Sequence, residues 1–393
     1  MELHIPQGIN YECTGCGKCC TGWTVPMTPA DYDRVSEVDW GKESDKYAGV
    51  ELFRELKDYE KKGTPYSHAI RPGPDGYCPF LVDNLCFVHG QYGSKFKPSM
   101  CQLFPYCFNE TPSGIYATVS FVSMGVLYNS GKALIDQRDY LEDKLKAFQE
   151  LYPDHHPNWS KLQLAVGQPM SWHEYLEHEA MLIKILNERS TPIEERMLRG
   201  SDYLFSKLAS PQTSNPSVQP ALKKLDRHLL VALHRMYFPA KPLGKGECDF
   251  NVLRFGYQVL YQGTAISFPT RRFSFDELHN FPWPAEDREI EDLIYRYFFS
   301  RIFGKLYFGA GYGQLSLITG FHHLILILGL IKLQAKAWAL TREAKEVSMV
   351  DMVATIRELE KRLGESRLGG YEAAVWELLM QSRSRIRRVL AFC

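Results

Sequence analysis

From about residue 138 onward, apolar residues recur at three- and four-residue spacing, the period of helices with one buried face. The pattern predicts helices over about 221–237, 249–262, 285–308, 314–340, 348–363 and 371–392. Three stretches carry a helix-start signature: Ser171-Trp-His-Glu174, Thr191-Pro-Ile-Glu194 and Ser274-Phe-Asp-Glu277. Before residue 138 the periodicity is broken into short pieces. Thr28-Pro29 opens a helix over 30–38, with threonine as cap and proline in the first turn. Residues 51–62 read as a charged helix, and 63–76, rich in Gly and Pro, as loop. Residues 115–122 are rich in β-branched side chains and predict a short strand; a hairpin is expected near 259–268.

The pattern therefore predicts a mainly α fold with a few short strands. An irregular, cysteine-rich, metal-binding N-terminal region over 1–130 is expected to pack on a helical body over 131–393. The polar, proline-bearing stretch 210–220 (SPQTSNPSVQP) is the candidate internal boundary. One run, 315–333 (LSLITGFHHLILILGLIKL), approaches the length of a membrane span. It carries His322, His323, two glycines and Lys332 and lacks basic flanks, so it is expected to be a buried helix and not a span.

Charge adds an exclusion. Lys+Arg and Asp+Glu both number 46 among 393 residues, so the formal net charge is zero. No global basic field exists to hold nucleic acid. Arg383, Arg385, Arg387 and Arg388 are expected to form the solvated face of a terminal helix. The opening MELHIPQGINYE has neither a basic region nor an apolar run, so no export signal is expected and the cytoplasm is the expected compartment.

The strongest chemical signal is Cys13-Thr-Gly-Cys16-Gly-Lys-Cys19-Cys20, with the spacing C-x2-C-x2-C-C. Cys78, Cys86, Cys101 and Cys107 follow, and only Cys248 and Cys393 lie elsewhere. Buried structural cysteines would be scattered like other small apolar residues. Clustered thiolates are soft anionic ligands suited to zinc or iron–sulfur centres, and a reducing compartment argues against disulfides. Gly15 and Gly17 permit the left-handed turn that short ligand spacing needs. All eight thiols are candidate ligands. Cys13, Cys16 and Cys19 are expected at the core of the site, with Cys20, Cys78, Cys86, Cys101 and Cys107 supplying the remainder. The third closely spaced thiol favours an iron–sulfur cluster (4Fe-4S), with zinc the alternative. Cys19 and Cys20 are adjacent, so their side chains diverge unless the backbone turns sharply, and they can serve different centres.

Other candidates read as ordinary structure. His89, three residues after Cys86, is expected as a polar neighbour of the site. His322-His323 are expected as hydrogen-bonded core histidines, and His155-His156 carry no clear signal. Gly309-Ala-Gly311-Tyr-Gly313 lacks the preceding strand that a nucleotide or S-adenosylmethionine turn requires, so a loop between helices is expected. There is no P-loop, no HExxH, no Ser or Cys nucleophile motif and no C-x3-C-x2-C.

Taken in order, C-x2-C-x2-C-C, Cys78-Pro-Phe-Leu, Cys86 and Lys97-Pro-x-x-Cys101-x-x-Phe-Pro105 resemble the CxxCxxCC cysteine-cluster family of zinc- or iron-chelating proteins, over about residues 11–108. The run Cys19-Cys20-Thr-Gly-Trp23 is similar to the flagellin lysine-N-methylase branch. Where members of that branch carry a Ser-Cys-Pro run, this chain has Ser123-Met124-Gly125. The resemblance implies a protein-lysine N-methyltransferase with S-adenosylmethionine as donor and a protein as substrate. A non-catalytic chelating, storage or electron-transfer role is the alternative.

Overall fold

The computed structural model describes residues 1–20, 24–61, 64–209, 222–238, 265–267, 271–365 and 370–393. Trp23, the expected boundary at 210–220, the expected helix at 249–262, most of the expected hairpin at 259–268 and Cys248 lie outside them. The fold is mainly α, with short strands. Two compact units, Met1–His156 and Pro157–Cys393, divide the chain.

The first unit is assembled from small pieces. Strand β1 (Leu3–His4) pairs in parallel with β8 (Gly114–Val119), which pairs antiparallel with β7 (Tyr106–Thr111). A second sheet has β4 (His68–Ile70) between β2 (Val25–Met27) and β3 (Phe53–Glu55), all antiparallel. The expected helix over 51–62 is thus split into a short strand, Phe53–Glu55, and a single helical turn. Phe53 is in register with Ile70, and only Asp58–Lys61 turns helical. Its charges form ion pairs across the strand end, Arg54–Glu60 at 2.8 Å and Lys61–Glu55 at 2.6 Å. A two-residue hairpin, β5 (Leu81–Val82) and β6 (Leu85–Cys86), follows, turned by Asp83 and Asn84 at positive φ. The helix Pro29–Ser36 begins as expected. Thr28 caps it, and Asp31 completes a reciprocal capping box.

The second unit is built around the helix Leu317–Thr341, 25 residues long and buried along nearly its whole length. By length and composition it could cross a bilayer. Here its apolar surface is covered by the helices Ile193–Phe205, Met349–Glu365 and Arg383–Phe392. The glycine run closes a tight loop before it, as expected. A Cβ on Gly311 would sit 1.7 Å from the Lys305 carbonyl oxygen, so only glycine lets the chain pass. His322 Nδ1–H donates to the Met380 carbonyl at 2.5 Å while its Nε2 meets Ser201 Oγ at 2.6 Å, and His323 meets Tyr237 Oη at 2.7 Å. Both are core histidines.

Three local expectations change. The region 371–392 is two helices, Gly370–Met380 and Arg383–Phe392, because Ser382 accepts the Arg385 N–H and starts a new one. At the second helix-start motif, Pro192 and not Thr191 is the cap of Ile193–Phe205, with no side-chain bond. The terminal arginines are not a solvated face. Arg388 is 8% exposed and, with Arg385, binds Asp226, itself 1% exposed; Arg383 and Arg387 pair with Asp202. A carboxylate buried on a neighbouring helix turns the stripe inward, because an unpaired buried charge would be far costlier than a paired one.

Candidate metal centre

The loop carrying the first four cysteines is shaped by two glycines. Gly15 and Gly17 adopt φ of +61° and +67°, a region other residues enter only at a cost. A single 3-10 turn, Lys18–Cys20, closes with Cys20 N–H donating to Gly17 O at 2.9 Å. The loop rests on the β5–β6 hairpin: a Cβ on Gly15 would lie 3.2 Å from Leu85, and one on Gly17 3.1 Å from Leu81.

The later cysteines reach the same place by separate routes. Cys78 N–H donates to Cys20 O at 2.8 Å, which joins chain segments almost sixty residues apart. Cys86 ends β6 opposite Leu81. Cys101 sits in the short helix Ser99–Leu103. Asp31, 1% exposed, positions that helix. Its carboxylate accepts from Ser99 N–H at 3.0 Å and Ser99 Oγ at 2.9 Å, and pairs with Arg34 at 2.6 Å. Arg34 in turn donates to the Lys97 carbonyl at 3.1 Å. Asp31 was legible in the sequence only as a helix-start residue; its second task depends on a partner 68 positions away.

Together these segments enclose a cavity of about 420 Å³ lined by Cys13, Cys16, Cys19, Cys20, Cys78, Cys86 and Cys101. Its floor is apolar, with Val25, Val35, Ile70, Phe80 and Val88. Another part of its wall is polar, with Tyr11, Gln137, Tyr140, Lys97 and Lys144. The remaining candidate, Cys107, is exposed on β7 and is not part of this lining; its Sγ lies 3.8 Å from the Pro105 carbonyl. His89 borders the cavity on its exposed side, and burial followed by the nearby Lys97 charge lowers its pKa. Among the described residues no three His, Cys, Asp or Glu side chains are already gathered on one point. The sulfurs stand around the cavity wall instead.

Burial dominates the electrostatics. It pushes the Cys20 thiol up to about 11 and Cys78 to about 12, with the neighbouring sulfurs adding to both. Cys101 is raised too, by burial and then by Cys78. Lys97 works the other way and eases ionisation of Cys20 and Cys101. Without a cation these thiols hold their protons at neutral pH, so metal entry must displace them. Tyr11, also in the lining, is held in place by close backbone packing. Its N–H donates to Lys132 O at 3.0 Å, and a Cβ on Gly125 would lie 2.4 Å from the Glu12 carbonyl oxygen. Its hydroxyl pKa is raised by burial and then by Cys13 and Cys19.

The donor set fits a soft metal. Seven thiols line the cavity against a single carboxylate, Glu12, a composition suited to zinc or iron–sulfur and not to magnesium or calcium. The volume exceeds a single ion's need, since a water takes a share of about 30 Å³.

Comparison with known proteins agrees with this chemistry. Residues 12–120 match the CxxCxxCC family, described as "Putative zinc- or iron-chelating domain". An uncharacterized protein of Methanocaldococcus jannaschii is 31% identical over 106 residues, 25% of this chain. The chain spans about 30% of the length of that relative. No solved structure matches.

Proposed function

We propose that the N-terminal unit chelates zinc or iron through the thiols of the cavity, with a 4Fe-4S cluster the favoured occupant. The observation that carries this reading is convergence: Cys13 to Cys20, Cys78, Cys86 and Cys101, from separate stretches of chain, line one cavity. A cluster there would supply redox capacity or an anchor that holds the surrounding loops together. The chain's own part is to deliver thiolates, exclude water with Phe80, Val25 and Val88, and offset negative charge with Lys97 and Lys144. A reducing compartment such as the cytoplasm, which keeps thiols available as ligands, is the setting this reading calls for.

The test is anaerobic purification with iron, zinc and acid-labile sulfide analysis. Iron and sulfide in equal amounts with a bleachable visible band supports the cluster; zinc without sulfide replaces it with the zinc reading. A protein that takes up neither metal after reconstitution overturns the proposal.

The finer reading is methyl transfer from S-adenosylmethionine to a lysine of a protein substrate. It is supported by the resemblance around Cys19-Cys20 alone. Methyl-group mass increments on a partner protein incubated with the metal-loaded chain and the donor would establish it. Their absence would leave a chelating, storage or electron-transfer protein.

A further inference from the structure

The cavity thiols differ in how firmly the fold holds them, a difference whose meaning rests on the metal-binding reading proposed for the N-terminal unit. Cys78, Cys86 and Cys101 pack against the unit's main apolar cluster, which includes Val25, Phe80 and Val88. Cys20 is tied to them through the backbone bond from Cys78 N–H to its carbonyl at 2.8 Å. Cys101 is fixed further by Asp31 acting on Ser99. These four cannot move without disturbing the core.

Cys13, Cys16 and Cys19 are held otherwise. All three lie on one loop, turned by Gly15 and Gly17 in left-handed conformations. The loop's support is the two-residue hairpin, whose Leu85 is 63% exposed. Cys19 and Cys20 are consecutive in the 3-10 turn. Successive side chains in such a turn project about 120° apart, so one turn feeds sulfur to two places. Polar groups complete the lining: Tyr11, Gln137, Tyr140 and Lys144 belong to the same cavity.

We infer that the seven thiols make two metal sites. Cys20, Cys78, Cys86 and Cys101 close around a resident centre. Cys13, Cys16 and Cys19 take a second, exchangeable soft divalent ion, zinc or iron(II). Four thiolates saturate a tetrahedral ion or a cubane cluster, which suits a permanent occupant. Three thiolates leave one coordination position open, the arrangement of sites that exchange ligands. The loop triad can release its ion by moving a glycine-hinged segment, whereas the quartet would have to open the core.

The test uses the full chain, purified anaerobically with its metal, then titrated with Co2+ alone while the thiolate-to-cobalt absorption is followed. Cys16→Ser is expected to retain the resident metal and to weaken Co2+ binding by at least ~10-fold; Cys78→Ser is expected to lose the resident metal. Loss of the resident metal in Cys16→Ser, or Co2+ binding unchanged by it, overturns the division. Because Cys78→Ser can also misfold, thiol alkylation of the unmutated holoprotein under mild chelation gives a second readout. Labelling of Cys13, Cys16 and Cys19 ahead of the other four is expected, and simultaneous labelling of all seven overturns the division. A chain that holds no metal at all fails the chelation proposal instead, so the two failures are distinguishable.

Discussion

The two units hold their folds by different means. In Met1–His156 the strands run from two residues, as in Leu3–His4, to six, as in Tyr106–Thr111. Strands this short pair weakly by themselves, and the apolar cluster around Val25, Trp40 and Phe80 has thiols packed against it. In Pro157–Cys393 a 25-residue helix is wrapped by other helices and buries Leu, Ile and Phe side chains along its length. The second arrangement is self-sufficient because burial of apolar area stabilises it directly. The first packs small thiols, which bury little area, where larger hydrocarbon side chains would have stabilised it more. The difference teaches that cohesion in the N-terminal unit is expected to come from what the sulfurs bind.

Stripping the metal should separate the two units most sharply. With structural zinc as the guide, loss of the resident ion removes on the order of 10 kcal/mol from the unit that holds it. A chelator should therefore expose Met1–His156 to proteolysis while Pro157–Cys393 stays intact. Equal sensitivity of both halves would break the comparison.

Acid should act on the helical unit through its buried histidines. Burial lowers His234 and His322 to about 4 and His323 to about 3. Their unfolded value is about 6.5. The unfolded chain therefore takes up protons that the folded unit refuses, and stability falls as pH drops from about 6.5 toward 4. The slope approaches about 1.4 kcal/mol per pH unit for each histidine. Thermal midpoints of the helical unit across this range check it; a flat profile contradicts the neutral buried state.

Asp31→Ala should destabilise the N-terminal unit by about 3 kcal/mol, since it leaves Ser99 and Arg34 without their buried acceptor. It should also weaken metal retention through the Cys101 helix. Denaturant unfolding followed separately for each unit would show the loss in one only. Gly320→Ala is the mirror experiment. Its Cβ would lie 2.2 Å from the Tyr307 carbonyl oxygen, so the helical unit should lose about 2 kcal/mol with metal content unchanged.

The chemistry of this protein was largely legible in one dimension. Soft ligands at short spacing, turned by Gly15 and Gly17, announce a metal site before any fold is known. The long helices were legible too, because a buried apolar face leaves a periodic trace. The short strands were not: residues 51–62 carry helix-favouring charges, and only pairing with Ile70 makes Phe53–Glu55 extended. Nor was the fate of the terminal arginines, since a basic stripe looks the same whether it meets water or a buried Asp226.

By itself the sequence determined which atoms are available: eight clustered thiols, a balanced charge and helices that must be buried. The tertiary structure alone decided which of those thiols share a space. It seated seven around one cavity, left Cys107 exposed on the outer side of β7, and set Asp31 against a helix 68 residues away. The physical reason is that ligand identity is a property of side chains, whereas convergence depends on backbone pairing and core packing between distant segments, which no local pattern records.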